Sequence, residues 1–112
     1  MEYKIKSRIW VEVEDNVLLG KGRVSLLKKI QATGSLSKAA KSLNMSYKKA
    51  WKMIDSINKS AKHPVIETTI GGSKGGGSSI TEHGQKLITT YEKITRKQWD
   101  LLNAETVHFN EL

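Results

Sequence analysis

Hydrophobic positions recur along the chain first with the period of a strand and then with that of a helix. Ile9, Val11 and Val13 alternate with Trp10, Glu12 and Glu14, the period of two of a half-buried strand. Glu14, Asp15 and Asn16 are a turn signal, and Val17, Leu18 and Leu19 return as a second short strand. Gly20, Lys21 and Gly22 break this pattern. From Arg23 the repeat becomes helical, with Val24, Leu27, Ile30 and Gln31 on one face and Lys28 and Lys29 on another. Gly34, following Thr33, suits the left-handed position just past a helix end.

The stretch from residue 35 to about 60 is the most informative. Ser35 and Ser37 are both suited to cap a two-turn helix over Lys38 to Leu43. Asn44 tolerates positive φ, Met45 turns inward, and Ser46 caps a second helix in which Tyr47, Ala50, Trp51, Ile54 and Ile57 share helical spacing. Two helices joined by a short turn, with Ala39 and Ala40 where they approach, form a helix-turn-helix pattern. A plain helical hairpin has the same spacing. Lys48, Lys49 and Lys52 fill the remaining positions in the first turns of the second helix, and lysine rather than mixed charge there favours DNA. Ala39, Ala40, Leu43, Ala50, Trp51 and Ile54 are assigned to the core; for Trp51 its place on the apolar face outweighs base stacking.

Val65 to Ile70 is a β-branched strand that runs into Gly71-Gly72-Ser73-Lys74-Gly75-Gly76-Gly77-Ser78-Ser79, followed by Ile80 and Thr81. Strand, basic glycine-rich tip and short strand over residues 65–81 are the layout of a wing. A linker would need a second domain after it, and too little chain follows. A phosphate-binding P-loop fails on order, because Lys74 precedes the glycine triplet. Thr81 then caps a last helix over residues 82–103, although Gly84 stands where a capping box has Glu or Gln. Leu87, Tyr91, Ile94, Gln98, Leu101 and Leu102 lie on its apolar stripe together with Ile88, and Trp99 and Val107 widen it. Such a helix is about 30 Å long, more than a small wing domain needs for its own core, so packing within the domain and dimerisation are both open readings.

The chain has 112 residues, enough for one compact domain over residues 1–112, and its 38% hydrophobic and 27% charged composition is that of a folded protein. Without cysteine there is neither a disulfide frame, nor a thiolate metal site, nor a cysteine nucleophile. His63, His83 and His108 are widely spaced and lack acidic partners in a recognisable motif, so neither an enzyme, a metal site nor a cofactor is expected. No apolar run spans a membrane or forms a signal core, which makes the cytoplasm the default location. The formal charge of +8 favours a polyanionic partner. Its distribution sharpens that reading: residues 35–80 carry eight lysines against Asp55 and Glu67, whereas residues 81–112 are close to neutral.

Gly34-Ser35-Leu36-Ser37-Lys38-Ala39-Ala40 and Met45-Ser46-Tyr47-Lys48-Lys49-Ala50-Trp51 resemble the N-terminal DNA-binding domain of the ModE-type molybdate-responsive transcription regulators, which is related to the LysR winged helices. Gly20-Lys21-Gly22-Arg23, the glycine-rich segment Gly71 to Gly77, and Ile80-Thr81-Glu82-His83-Gly84 match in the family's order, so the resemblance covers about Ile9 to Leu102. The pair formed by Ser-Tyr-Lys-x-Ala-Trp and the glycine-rich segment is fairly specific. The resemblance implies a mainly α winged helix-turn-helix with a small β wing, homodimerisation through terminal helices, and sequence-specific binding to double-stranded DNA. ModE-type proteins continue into molybdate-binding domains, whereas this chain stops at Leu112, so molybdate is not an expected ligand. Met1 favours a stand-alone domain.

The expected DNA-binding residues are Ser46, Tyr47, Lys48, Lys49 and Lys52 on the second helix of the pair, Ser35 and Ser37 as a phosphate clamp, and Ser73, Lys74, Ser78 and Ser79 on the wing. The expected dimerisation residues are Leu87, Tyr91, Ile94, Gln98, Leu101 and Leu102. Non-specific nucleic-acid binding and a protein-interaction adapter are the alternatives.

Overall fold

A computed structural model describes residues 1–69 and 77–112. Strands β1 (Val11–Val13) and β2 (Asn16–Leu19) form an antiparallel hairpin, followed by helices α1 (Lys21–Thr33), α2 (Leu36–Ser42) and α3 (Tyr47–Ser60). Strands β3 (Ile66–Thr69) and β4 (Gly77–Ile80) form a second antiparallel pair, and helix α4 (Glu82–Asn110) ends the fold. This is a mainly α winged helix-turn-helix. Its turns follow the local signals of the sequence. Glu14 and Asp15 both have positive φ, 50° and 67°, as a tight two-residue hairpin turn requires. Gly34 ends α1 in the left-handed conformation, and Asn44 turns the chain between α2 and α3 at φ 54°.

One core unites these elements. Leu18 and Leu19 of β2, Val24, Leu26, Leu27 and Ile30 of α1, Leu36, Ala39 and Ala40 of α2, and Ala50, Ile54 and Ile57 of α3 are buried with Val65, Ile66, Ile88 and Tyr91. Leu43 and Met45 pack against this core from the turn between α2 and α3. Leu26 lies off the face expected for α1 and is fully buried, because that helix is covered on more than one side. Gln31, expected on the apolar face, is exposed and hydrogen-bonds Gln85 of α4. Trp51 is a correction to the expected core: it is 49% exposed, since Ala50, Ile54 and Ile57 alone carry the buried stripe of α3.

Val65 is the junction between α3, the wing and α4. Asn58 of α3 accepts from the backbone N–H groups of Val65 (2.8 Å) and Ile66 (3.0 Å) and donates to the Ile66 carbonyl (2.9 Å). The Val65 carbonyl accepts from the Thr81 N–H at 2.9 Å. The Thr81 hydroxyl donates to the Pro64 carbonyl (2.6 Å) and accepts from the Gly84 N–H (3.0 Å), capping α4. This closeness requires glycine at position 84: a Cβ there would meet the Val65 carbonyl oxygen and an Ile80 methyl at 2.7 Å each. A second tie runs from the Ser78 N–H of β4 to the Gly34 carbonyl, at 2.9 Å.

Helix α4 extends beyond the expected end at 103, to Asn110. Its buried residues are confined to its start, at Gly84, Ile88 and Tyr91. The rest projects from the core and gives the molecule its 64 Å long axis. Residues 1–10 reach the far end of this helix, where the Tyr3 N–H donates to Asn110 Oδ1 at 2.7 Å and its ring meets Phe109.

Because backbone rather than a mobile side-chain tip blocks the Gly84 position, Gly84→Ala is expected to destabilise the chain by about 1–3 kcal/mol. Urea unfolding at constant m-value measures it.

Candidate nucleic-acid interface

The surface of α3 is built from its own cap outward. Ser46 adopts an extended backbone and its Oγ accepts from the Lys49 N–H at 3.1 Å, which fixes the first turn. Ala50, Ile54 and Ile57 anchor the helix on the core with Met53 partly buried against it, and the other residues of the first two turns face outward. Ser46, Tyr47, Lys48, Lys49 and Lys52 are all exposed. Lys48 and Lys52 are one turn apart, near the helix face opposite Ala50, and Lys49 lies on the side away from Tyr47.

All of these exposed side chains except Tyr47 border an open concavity of about 450 Å³, lined by Arg23, Ser46, Lys48, Lys49, Lys52 and Met53. No carboxylate lines it, and none of its lysines is among the ion pairs formed by the described residues. The acid of α3, Asp55, is paired with Lys59 at 2.9 Å. A concave, uncompensated cluster of cations produces a local positive potential that attracts anionic groups.

Arg23 is the residue that sequence reasoning missed here. It closes the Gly20-Lys21-Gly22-Arg23 segment at the start of α1, far from α3 in sequence. Its guanidinium donates to the carbonyls of Val17 and Leu18, tying the first hairpin to α1 beside the concavity. Desolvation by partial burial holds its pKa below the usual arginine value. An arginine has five donors, so the hairpin bonds leave capacity for another acceptor.

The other expected contacts belong to other segments of the chain. Ser35 caps α2, with its Oγ accepting from the Lys38 N–H at 3.1 Å, and Ser37 is exposed on the same first turn. Ser78 is partly buried in β4, paired with Thr68, and Ser79 is exposed beside Glu67. Ser73 and Lys74 lie outside the described residues. His63 and His83, twenty residues apart in the chain, meet edge to face with ring centroids 5.0 Å apart. No group of three or more metal-ligating side chains occurs among the described residues, nor is any described helix long and apolar enough to cross a membrane.

The residues expected at a dimer contact occupy unlike environments. Tyr91 is buried, and its hydroxyl donates to the Ile9 carbonyl at 2.8 Å. Leu87 is partly buried against the core. Leu102 lines a groove of about 530 Å³ between α4 and residues 2–9, together with Thr95, Trp99 and Thr106. Gln98 is partly buried, whereas Ile94 and Leu101, seven residues apart on one stripe, are about half exposed.

Sequence comparison relates the chain to known proteins. The transcriptional regulator ModE of Haemophilus influenzae is 33% identical over 105 residues, 91% of this chain. The DNA-binding transcriptional dual regulator ModE of Escherichia coli is 41% identical over 86 residues, 74% of this chain. The chain belongs to the ModE family. The molybdenum-pterin-binding protein MopB of Rhodobacter capsulatus is 42% identical over 86 residues, 77% of this chain. The chain spans 41%, 33% and 32% of the lengths of these three relatives. No protein-family model matches it.

The Ser46 cap is the local device that orders the lysine-bearing turn of this ModE-type helix. Ser46→Ala is expected to lower stability by about 1 kcal/mol, read from the urea midpoint, and Ser46→Asp should retain most of it.

Proposed function

We propose that the chain is the sequence-specific double-stranded DNA-binding module of a transcription regulator. In this reading α3 enters the major groove, and the wing built from β3 and β4 lies on the adjacent backbone or minor groove. The observation that carries the proposal is the exposed, uncompensated cation cluster on the first two turns of α3, at the helix end that helix-turn-helix proteins direct at base edges. The names of the relatives point the same way.

Within it, Lys48 and Lys49 serve phosphate or guanine, Lys52 serves backbone, and Ser46 and Tyr47 donate to phosphate. The Ser46 hydroxyl uses an oxygen lone pair for its cap, which leaves its O–H available to donate. Ser35 and Ser37 add hydroxyls at the start of α2. Ser78 and Ser79, with Ser73 and Lys74 of the glycine-rich segment, supply the wing contacts. Arg23 joins this set from the hairpin side of the concavity.

Selection from a random duplex pool at ~150 mM salt, where non-specific contacts weaken, tests the reading. Enrichment of one motif is expected; a pool that stays random would leave a non-specific binder or a protein adapter. On the enriched duplex, Lys48→Ala should reduce the slope of log K against log salt by roughly one unit, as one lost phosphate contact requires. An unchanged slope would remove Lys48 from the phosphate contacts.

The same reading includes a homodimer formed along α4. The supporting observation is the pair of half-exposed apolar side chains Ile94 and Leu101, seven residues apart on one stripe of its projecting part. A two-fold protein bound across the groove reads two half-sites about one helical turn apart. Ile94→Asp with Leu101→Asp is expected to convert a dimer into a folded monomer, measured by sedimentation equilibrium beside circular dichroism.

A further inference from the structure

The exposed flank of α3 carries more than cations. Tyr47 and Trp51, one turn apart, are 57% and 49% exposed, and neither belongs to the hydrophobic side chains packed against the core. Ala50, Ile54 and Ile57 already hold the helix in place, so folding leaves both rings on the outer surface. With about 100° between successive residues, Tyr47, Trp51 and Asn58 fall on one edge of the helix. Asn58 hydrogen-bonds the backbone of Val65 and Ile66, so this is the edge turned toward the wing. The opposite side of the same turns carries Lys49, with Lys48 and Lys52 between.

We propose that Trp51, assisted by Tyr47, is a specificity-determining residue that packs its apolar ring against thymine C5-methyl groups in the major groove. The inference rests on the DNA-binding reading above and deepens it by naming the base feature read on the wing side. The occupant follows from the surroundings of the rings. They share the first two turns with exposed Lys48 and Lys52, while Asp55, one turn beyond Trp51, is matched by Lys59 at 2.9 Å. An apolar edge beside uncompensated cations fits a polyanion that also presents apolar groups. The thymine methyl is such a group in the major groove, and apolar side chains are its usual partners. A lysine finds phosphates on any sequence, as does the Tyr47 hydroxyl, whereas an apolar ring gains contact only where a methyl stands, so the two ring faces add preference.

The test measures the chain on the duplex enriched from the random pool and on a random duplex of equal length. Trp51→Ala is expected to lose about tenfold on the enriched duplex, the low end of the effect of one mismatched base pair. It should bind the random duplex as before and keep its salt slope, because no phosphate contact is removed. Trp51→Phe should retain most of the preference. An independent arm needs no variant: replacing thymines one at a time by deoxyuridine, which lacks the methyl, should weaken the unaltered chain several-fold at one or more positions. At those positions Trp51→Ala should show no further loss.

Equal affinity of Trp51→Ala and the unaltered chain for the enriched duplex overturns the proposal, as does equal loss on both duplexes. Indifference of the unaltered chain to every deoxyuridine substitution overturns it as well. In these cases the unaltered chain still prefers the enriched duplex, and the DNA-binding reading stands. If the unaltered chain shows no preference between duplexes, that broader reading and this inference fall together.

Discussion

The backbone of Val65 is the point through which the rest of the fold is coupled. Its N–H is held by Asn58 near the end of α3, and its carbonyl by the Thr81 N–H at the start of α4. The chain passes this point fully buried, where an unpaired backbone group would cost about 1–3 kcal/mol. Satisfying both groups at once sets the direction in which the wing leaves α3 and the direction in which α4 departs. Gly84 follows from the same constraint, since the helix can approach the Val65 carbonyl only without a Cβ. The Ser78–Gly34 bond holds the returning wing strand against the turn between α1 and α2. The wing pair is thus tied at both strands to the helical body.

This coupling gives the candidate interface its division of labour. Small and branched apolar residues on one stripe of α3 bind the helix to the core, with Met53 packed beside them and Asn58 clamping the wing, and the exposed positions of its first two turns are left outside the core. A serine cap, three lysines, a concavity shared with Arg23, and two aromatic rings occupy that outer surface. Arg23 links this surface to the first hairpin, because the same guanidinium that borders the concavity holds the carbonyls of Val17 and Leu18. Under the proposed DNA-binding reading, a rigid mounting would hold these side chains in register with base edges.

Helix α4 presents a different balance. Its first turns are core, with Ile88 and Tyr91 buried, while its later turns carry apolar side chains beyond the reach of the other helices. Residues 1–10 cover part of this length, anchored at Tyr3 by Asn110 and at Ile9 by Tyr91. The stripe containing Thr95, Trp99, Leu102 and Thr106 faces the groove beneath that segment, and Ile94 and Leu101 lie to one side.

Local signals in the sequence determined the order of elements, the Ser46 cap, the left-handed Gly34 and Asn44, and the lysine-rich outer turns of α3, and they offered Ser35 and Ser37 as caps of α2, of which the structure uses Ser35. These are legible because each depends on residues within a few positions of one another: capping, turn geometry and periodicity are short-range. The same logic failed for Trp51, because periodicity specifies a stripe but not how wide a neighbouring element will cover it. It also grouped Tyr91 with residues of the projecting helix, although the Ile9 segment closes over it. Arg23 beside α3, the Asn58 clamp on the wing, the meeting of His63 with His83 and the steric need for Gly84 all join distant parts of the chain. Only tertiary structure decided them, because burial and hydrogen bonding between distant segments depend on which surfaces meet in space, and no local repeat encodes that.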